Sequence, residues 1–319
     1  MATRESGLIL NERTLVAIDT RSGSVVDVGA GALDAVVGTN SHVVAFRPLE
    51  KGATIDFDVA ARLLRALFDR AGFGRFTRVK VVMSVPVLAT SIERRALRQA
   101  ALQAGAVEAT LIETPIAAAI GLGMPVQNPV ASGVVSLGAG ASEVALISLG
   151  GIVAQRSLRL GGRDLDRAIA TVLRTTSQAV IAPSVASAVK ESLGSALGGS
   201  AGESSVMPAR TLRDGLAVNV DVPAEVVNRS IKDHLIAIVK MVQECLSEAP
   251  PDLAQDVIAQ GLTAVGGASQ LRELRDLLAR ETGVRVHGVP EPDMVVLRGL
   301  VACLGNSNAV RKVLREAEL

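Results

Sequence analysis

Residues 135–151 read VSLGAGASEVALISLGG. An apolar strand, a glycine turn and a second apolar strand follow one another without interruption. A turn of this kind can present backbone N–H groups to an anion. Phosphate chemistry ordinarily adds a carboxylate that holds Mg²⁺. The turn SLGAGAS contains none: Ser136 closes the first strand, and the first acid is Glu143. The stretch is therefore a nucleotide site, a relic of one, or a tight hairpin.

Working outward, short β-rich runs precede it. GLILNE, TLVAIDT and SVVDVG predict a meander with a turn at 20–24. DVAARLLRALFDR (58–70) has apolar positions at helical spacing behind Asp58 as N-cap. VKVVMSVP (79–86) is a near-continuous apolar run, as a buried strand should be. A helix over 91–105 is expected to be capped by Ser91 and stopped by Gly105, and ATLIE (109–113) to be a strand. Pro115 suits the first turn of PIAAAIGLG, with Thr114 as its cap.

After the central hairpin, GIVAQRSLRL predicts a third strand, followed by helices at 163–174 and about 184–197. A hairpin turns at Asp214–Gly215. The longest helix, about 223–247, carries Ile231, Leu235, Ile238, Val242 and Cys245 on one face. LTAVGG is a strand running into a glycine turn, SQLRELRDLLARETG a helix, VRVHGV a last strand, and two short helices close the chain. This order predicts α/β architecture in two related halves.

Composition narrows the function. With 49% hydrophobic and 20% charged residues among 319, a sizeable core is expected. The 33 basic and 32 acidic side chains leave a net charge of +1, which argues against a nucleic-acid partner. Cys245 and Cys303 lie in apolar helical contexts and read as buried free thiols. The three histidines are scattered, and no spacing suggests a metal site. No apolar run has the length of a signal peptide or a membrane span, so a cytoplasmic protein is expected.

The runs GLILNERTLVAIDTRSGSVVDVG, VAFRPLEKGATIDFDV, IERRALRQAALQAGA, LIETPIAAAIG, EVALISLGGIV and LGGRDLDRAI together resemble the bacterial actin-like MreB/Mbl rod-shape family over roughly residues 7–300. The resemblance implies the fold of the actin/Hsp70/sugar-kinase superfamily: two related α/β domains around an ATP cleft. Domain I would be 1–132, without its first hairpin and completed by 288–319; domain II would be 133–287, with a small subdomain at about 184–250. It also implies head-to-tail filaments at the inner membrane face that set cell shape and organise wall synthesis. Partners would be other copies, a full-length paralogue, the membrane and the wall-synthesis machinery.

The family's functional residues carry over unevenly. Its first phosphate loop has no counterpart, since the sequence begins at about the strand that follows that hairpin. Its second loop normally reads Asp-Ile-Gly-Gly-Gly-Thr-Thr-Glu, and here reads Ser136-Leu137-Gly138-Ala139-Gly140-Ala141-Ser142-Glu143. Ser136 replaces the acid associated with hydrated Mg²⁺. In the family's Glu-Glu-Pro, the second glutamate positions the attacking water; here Thr114 stands there, between Glu113 and Pro115.

Nucleotide contacts would come from Gly138, Ala139 and Gly140, from Lys190, and from the last turn, Gly266-Gly267-Ala268. Ser192 replaces a glutamate expected near the ribose. The glycines equally suit plain turns, and Lys190 equally suits a solvated helix face. Phosphoryl transfer depends on positioning and metal-assisted charge stabilisation. The expected cofactor, ATP with Mg²⁺, should therefore be bound weakly or not at all, and hydrolysis should be weak or absent. A working ATPase of the same family is the alternative reading, and a small-molecule kinase on the same fold the remoter one.

Two segments fall outside this logic. In AGFGRFTRVK (71–80), Phe73 and Phe76 flank Arg75 near Arg78 and Lys80. The rings either tuck onto their own domain or form a membrane wedge beside basic residues. The amphipathic tail NAVRKVLREAEL (308–319) either docks or meets a partner.

Overall fold

The computed structural model describes residues 1–38, 42–51, 53–54, 56–74, 76–198 and 202–305. The chain forms two compact units, Met1–Gly121 with the stretch from Leu297 onward, and Leu122–Val296. The tail at 308–319 and Arg75 lie outside the described residues.

In the first unit, β1 (Ala2–Thr3) and β2 (Gly7–Leu8) form a small hairpin. β3 (Val16–Asp19) is the centre of an antiparallel sheet between β4 (Val25–Val28) and β5 (Val43–Phe46), and α1 (Gly31–Gly38) links the two outer strands. β6 (Leu49–Glu50) and β7 (Ala53–Thr54) make a second short hairpin. Next come α2 (Phe57–Arg70), β8 (Val79–Val85), α3 (Ser91–Gln103) and β9 (Ala106–Glu113). β8 and β9 run parallel, with α3 as the crossover that parallel pairing requires. α4 (Thr114–Gly121) closes this part.

Two helix starts differ from the sequence reading. Asp56, not Asp58, caps α2: its carboxylate accepts from the Val59 N–H at 3.0 Å. Thr90, not Ser91, caps α3, in a capping box with Glu93. In both cases the effective cap is the residue with extended backbone, whose oxygen can turn back onto the first-turn amides. A third difference concerns Thr114. Its hydroxyl does not cap α4 but donates to the Val85 carbonyl at 3.1 Å, tying the end of β8 to the start of the helix.

The second unit is built on a five-stranded sheet in the order β12-β11-β10-β16-β17. β10 (Ser132–Leu137), β11 (Ser142–Ser148) and β12 (Gly151–Leu158) are antiparallel neighbours; β16 (Leu262–Val265) and β17 (Val286–His287) continue it in parallel. Every residue of β10 and β11 is buried, which explains why apolar residues dominate both. Between β12 and β16 come α5 (Gly162–Thr176), β13 (Ala179–Val180), α6 (Pro183–Leu193), β14 (Ser204–Thr211), β15 (Ala217–Pro223), α7 (Ala224–Ser247) and α8 (Pro251–Gln260). β13, β14 and β15 form a separate antiparallel sheet.

The predicted face of α7 is the buried one: Ile231, Leu235, Ile238, Val242 and Cys245 join a core with Leu137, Leu146, Leu165 and Leu173. Both cysteines are free and buried, and burial pushes each thiol up to about 11.

The single helix expected over SQLRELRDLLARETG is instead a 3₁₀ turn (Gly267–Gln270) and α9 (Leu274–Thr282). Glu273 breaks it by adopting φ 59°, and its carboxylate accepts from the Ser195 hydroxyl. α10 (Val295–Gly305) then carries the chain back to the first unit. There Gly299 lies so close to α4 that a Cβ would run into the Ala117 carbonyl.

Candidate functional site

Three backbone turns of the second unit meet, and each has a local cause. The first joins β10 to β11: the Gly138 N–H donates to the Ala141 carbonyl at 2.9 Å, closing the hairpin. Gly138 has no left-handed φ, so conformational freedom is not what selects glycine there.

The second turn, Gly161–Gly162, starts α5 and lies directly on the first. The N–H groups of Gly162 and Arg163 donate to the carbonyls of Gly138 and Ala139 at 3.0 and 2.9 Å. A Cβ at Gly161 would sit 2.6 Å from the Gly138 oxygen and 2.7 Å from Ala139 and Gly140 backbone atoms. Asp164 completes the helix start by accepting from the Gly161 N–H at 2.9 Å, and it also receives the Arg167 guanidinium at 3.1 Å.

The third turn follows β16. Gly266 has φ 87°, and a Cβ there would collide with the Leu137 carbonyl at the end of β10. Its N–H donates to the Pro292 carbonyl at 2.8 Å. From the same turn, Ala268 approaches the position a Gly162 Cβ would occupy to 3.5 Å, as does the Lys190 ammonium.

Lys190 is not a solvated lysine. Its ammonium donates to Asp166 at 2.7 Å and to the Gly162 carbonyl at 3.2 Å, with side chains 12% and 15% exposed for Lys190 and Asp166. Burial raises the Asp166 carboxyl above its ordinary value, and the hydrogen bond and charge of Lys190 only partly oppose it. The structure therefore brings Gly138, Ala139, Gly140, Lys190 and Ala268 around Gly161–Gly162, with Gly266 against Leu137 beside the loop and Gly267 continuing the third turn. Sequence reasoning missed Gly161 as the close contact between the first two turns and Asp166 as the partner of Lys190. The signal for both was the run LGGRDLDRAI, where a glycine pair precedes an acidic helix start.

The two positions expected to carry acids are closed to that role. Ser136 is 5% exposed, on β10 opposite Glu143. In the first unit, Thr114 is engaged with Val85, and Glu113 accepts from Arg94 at 2.7 Å. Among the described residues no cluster of His, Cys, Asp or Glu could hold a metal ion.

The aromatic loop is split by the structure. Phe73 packs against a small core that includes Phe68, Ala101 and Ala104, whereas Phe76 is 99% exposed. Arg78 is exposed, and Lys80 is paired with Glu108 at 2.6 Å. No helix among the described residues is long and apolar enough to cross a membrane.

Comparison with known proteins follows this geometry. The family model for MreB/Mbl protein matches residues 1–312. The cell shape-determining protein MreB of Escherichia coli (strain K12) is 37% identical over 299 residues, covering 92% of this chain and 86% of that protein. The cell shape-determining protein Mbl of Bacillus subtilis (strain 168) is 30% identical over 307 residues, covering 96% and 92%. Among solved structures, MreB5 of Spiroplasma citri bound to AMPPNP superposes with a TM-score of 0.86 at 25% identity, covering 98% of this chain and 93% of that one. The same protein has been crystallised bound to ADP. A MamK double helical filament, at 21% identity and a TM-score of 0.77, shares the fold.

Proposed function

The chain belongs to the MreB/Mbl family of actin-like, cell shape-determining proteins, and from that premise we propose that it forms or joins filaments that bind nucleotide and hydrolyse it weakly or not at all. Nucleotide binding is supported by the three converging turns and by the AMPPNP and ADP complexes of Spiroplasma citri MreB5. Gly138, Ala139 and Gly140 take the phosphates, and Gly266, Gly267, Ala268 and Lys190 flank the nucleoside.

Weak turnover rests on one observation: the positions of the two expected acids hold hydroxyl residues, Ser136 and Thr114, and the Thr114 hydroxyl is already bonded to Val85. A hydroxyl cannot replace a carboxylate as the group that orients and deprotonates the attacking water.

Filaments of this type are heterologous and open-ended, so assembly needs one intact face at each end rather than a working active site. Assembly with other copies or with a full-length paralogue is the function that survives loss of turnover. Peripheral attachment at the inner membrane face is supported by the bare Phe76 ring beside Arg78, with Phe73 as the anchor of the loop. The machinery of wall synthesis is the partner such a scaffold would organise.

The test is sedimentation with and without ATP, alone and with a full-length paralogue, together with phosphate release. The proposal expects pelleting with phosphate release at background. Magnesium-dependent release that scales with protein concentration would establish the working-ATPase reading instead.

A further inference from the structure

We infer that the glycine-loop site takes the phosphates of a nucleoside di- or triphosphate without a metal ion, with the Arg163 guanidinium as the counter-charge. This rests on the nucleotide reading above and assigns the residue that makes such binding work.

A divalent cation at a phosphate site is usually held by one or two carboxylates together with the phosphates and waters. Around the loop, the carboxylates have other work. Asp164 holds the Gly161 N–H and the Arg167 guanidinium. Asp166 holds Lys190. Glu143 is 3% exposed and has a partner of its own. Ser142, at the end of the turn, donates to the Leu160 carbonyl at 2.8 Å. Asp293 is exposed, and it lies by Gly267 in the third turn rather than at the loop. The residues present do not fit a magnesium ion at Gly138–Gly140.

The start of α5 does not supply the missing positive charge either. Its leading N–H groups, those of Gly162 and Arg163, are bonded to loop carbonyls, and the Gly161 N–H is bonded to Asp164. An anion would have to displace these bonds to reach the helix terminus.

Arg163 is different. Its backbone is bonded to Ala139, which fixes the residue at the loop. Its side chain is half-buried, and among the described residues no hydrogen bond or ion pair engages the guanidinium. The acid that feels its charge, Asp166, is already paired with Lys190. A permanently charged fork of donors, rooted by its backbone at the glycine loop and hydrogen-bonded to no acid among the described residues, suits a phosphate in two-point contact.

The experiment is calorimetric titration of the full chain with ADP, in magnesium and in EDTA. Expected are dissociation constants that agree within about twofold, and a weakening of about 10- to 100-fold for Arg163→Gln, the worth of charge-assisted hydrogen bonds. Arg163→Lys should recover part of the loss. Thermal melting of Arg163→Gln should match the parent, because no internal partner is removed.

A tenfold loss of affinity on chelation, above all one abolished in Asp293→Asn, overturns the inference and leaves the nucleotide reading standing. Unchanged binding by Arg163→Gln does the same. Absence of binding with and without metal overturns both.

Discussion

Lys190→Met should destabilise the chain in a strongly pH-dependent way. The substitution keeps most of the side-chain stem and removes the ammonium that faces Asp166 at 2.7 Å. Breaking a buried pair by deleting one partner costs about 3–5 kcal/mol. Side-chain exposures of 12% and 15% leave the Asp166 carboxylate a little hydration, so about 2–4 kcal/mol is expected near neutral pH.

The sign of the pH effect follows from burial. In the parent, desolvation already raises the Asp166 carboxyl above its ordinary 3.8, and Lys190 is the main opposing influence. Without Lys190 the folded-state value rises further. The native state then binds a proton that the unfolded state releases, so stability increases as pH falls through the folded value and stops increasing near the unfolded one. The deficit should therefore be largest at neutral pH and above and shrink toward about pH 4.

Urea unfolding of parent and variant at about pH 7.5 and about pH 5 reads the effect directly. Asp166→Asn alone should also destabilise, because it leaves the Lys190 ammonium buried without its counter-charge, and adding it to Lys190→Met should recover most of the loss, because no buried charge then remains. Equal deficits at both pH values, or no rescue by the double variant, would refute this account of the pair.

Other outcomes follow from the same geometry. Gly161→Ala should cost about 1–3 kcal/mol by overpacking, because backbone rather than a flexible side chain lies 2.6–2.7 Å from the new methyl, and should weaken ADP binding as the loop shifts. Phe76→Ala should leave the melting temperature unchanged while lowering binding to anionic vesicles, since a fully exposed ring contributes nothing to the core. Phe73→Ala should lower thermal stability measurably, because that ring packs on Phe68. Ser136→Asp alone should create no magnesium-dependent phosphate release in a malachite-green assay, because the water-positioning acid is still missing at Thr114.

Much of the architecture was legible in the sequence because it rests on long, one-sided patterns. β10 and β11 are dominated by apolar residues because both faces are covered. The stripe of α7 from Ile231 to Cys245 repeats at helical spacing over about four turns. What misled was local competition for single polar groups. Thr114 looks like a cap, but a strand carbonyl lies within reach of its hydroxyl. Glu273 sits inside a helical pattern, yet it takes a left-handed conformation and receives the Ser195 hydroxyl from a distant part of the chain. The candidate site was visible as glycine turns. Their mutual contact was not, because a glycine chosen to make room for another backbone looks the same in sequence as one chosen for a turn. Phe73 and Phe76 are likewise equivalent in composition, and only the position of the Phe68 cluster separates them.

The division of the chain also sets an order of events on the ribosome. Leu122–Val296 is continuous, so every strand of its sheet has been synthesised before α10 emerges. The first unit is not: it includes α10, whose Gly299 fits against α4 near Ala117, some 180 residues earlier in the chain. The part made first must therefore wait, with that face of α4 uncovered, until α10 has been made. During that interval it is open to chaperones and to wrong partners. A nascent chain stalled just short of Leu297 should show a protease-resistant second unit beside a first unit that is still cut.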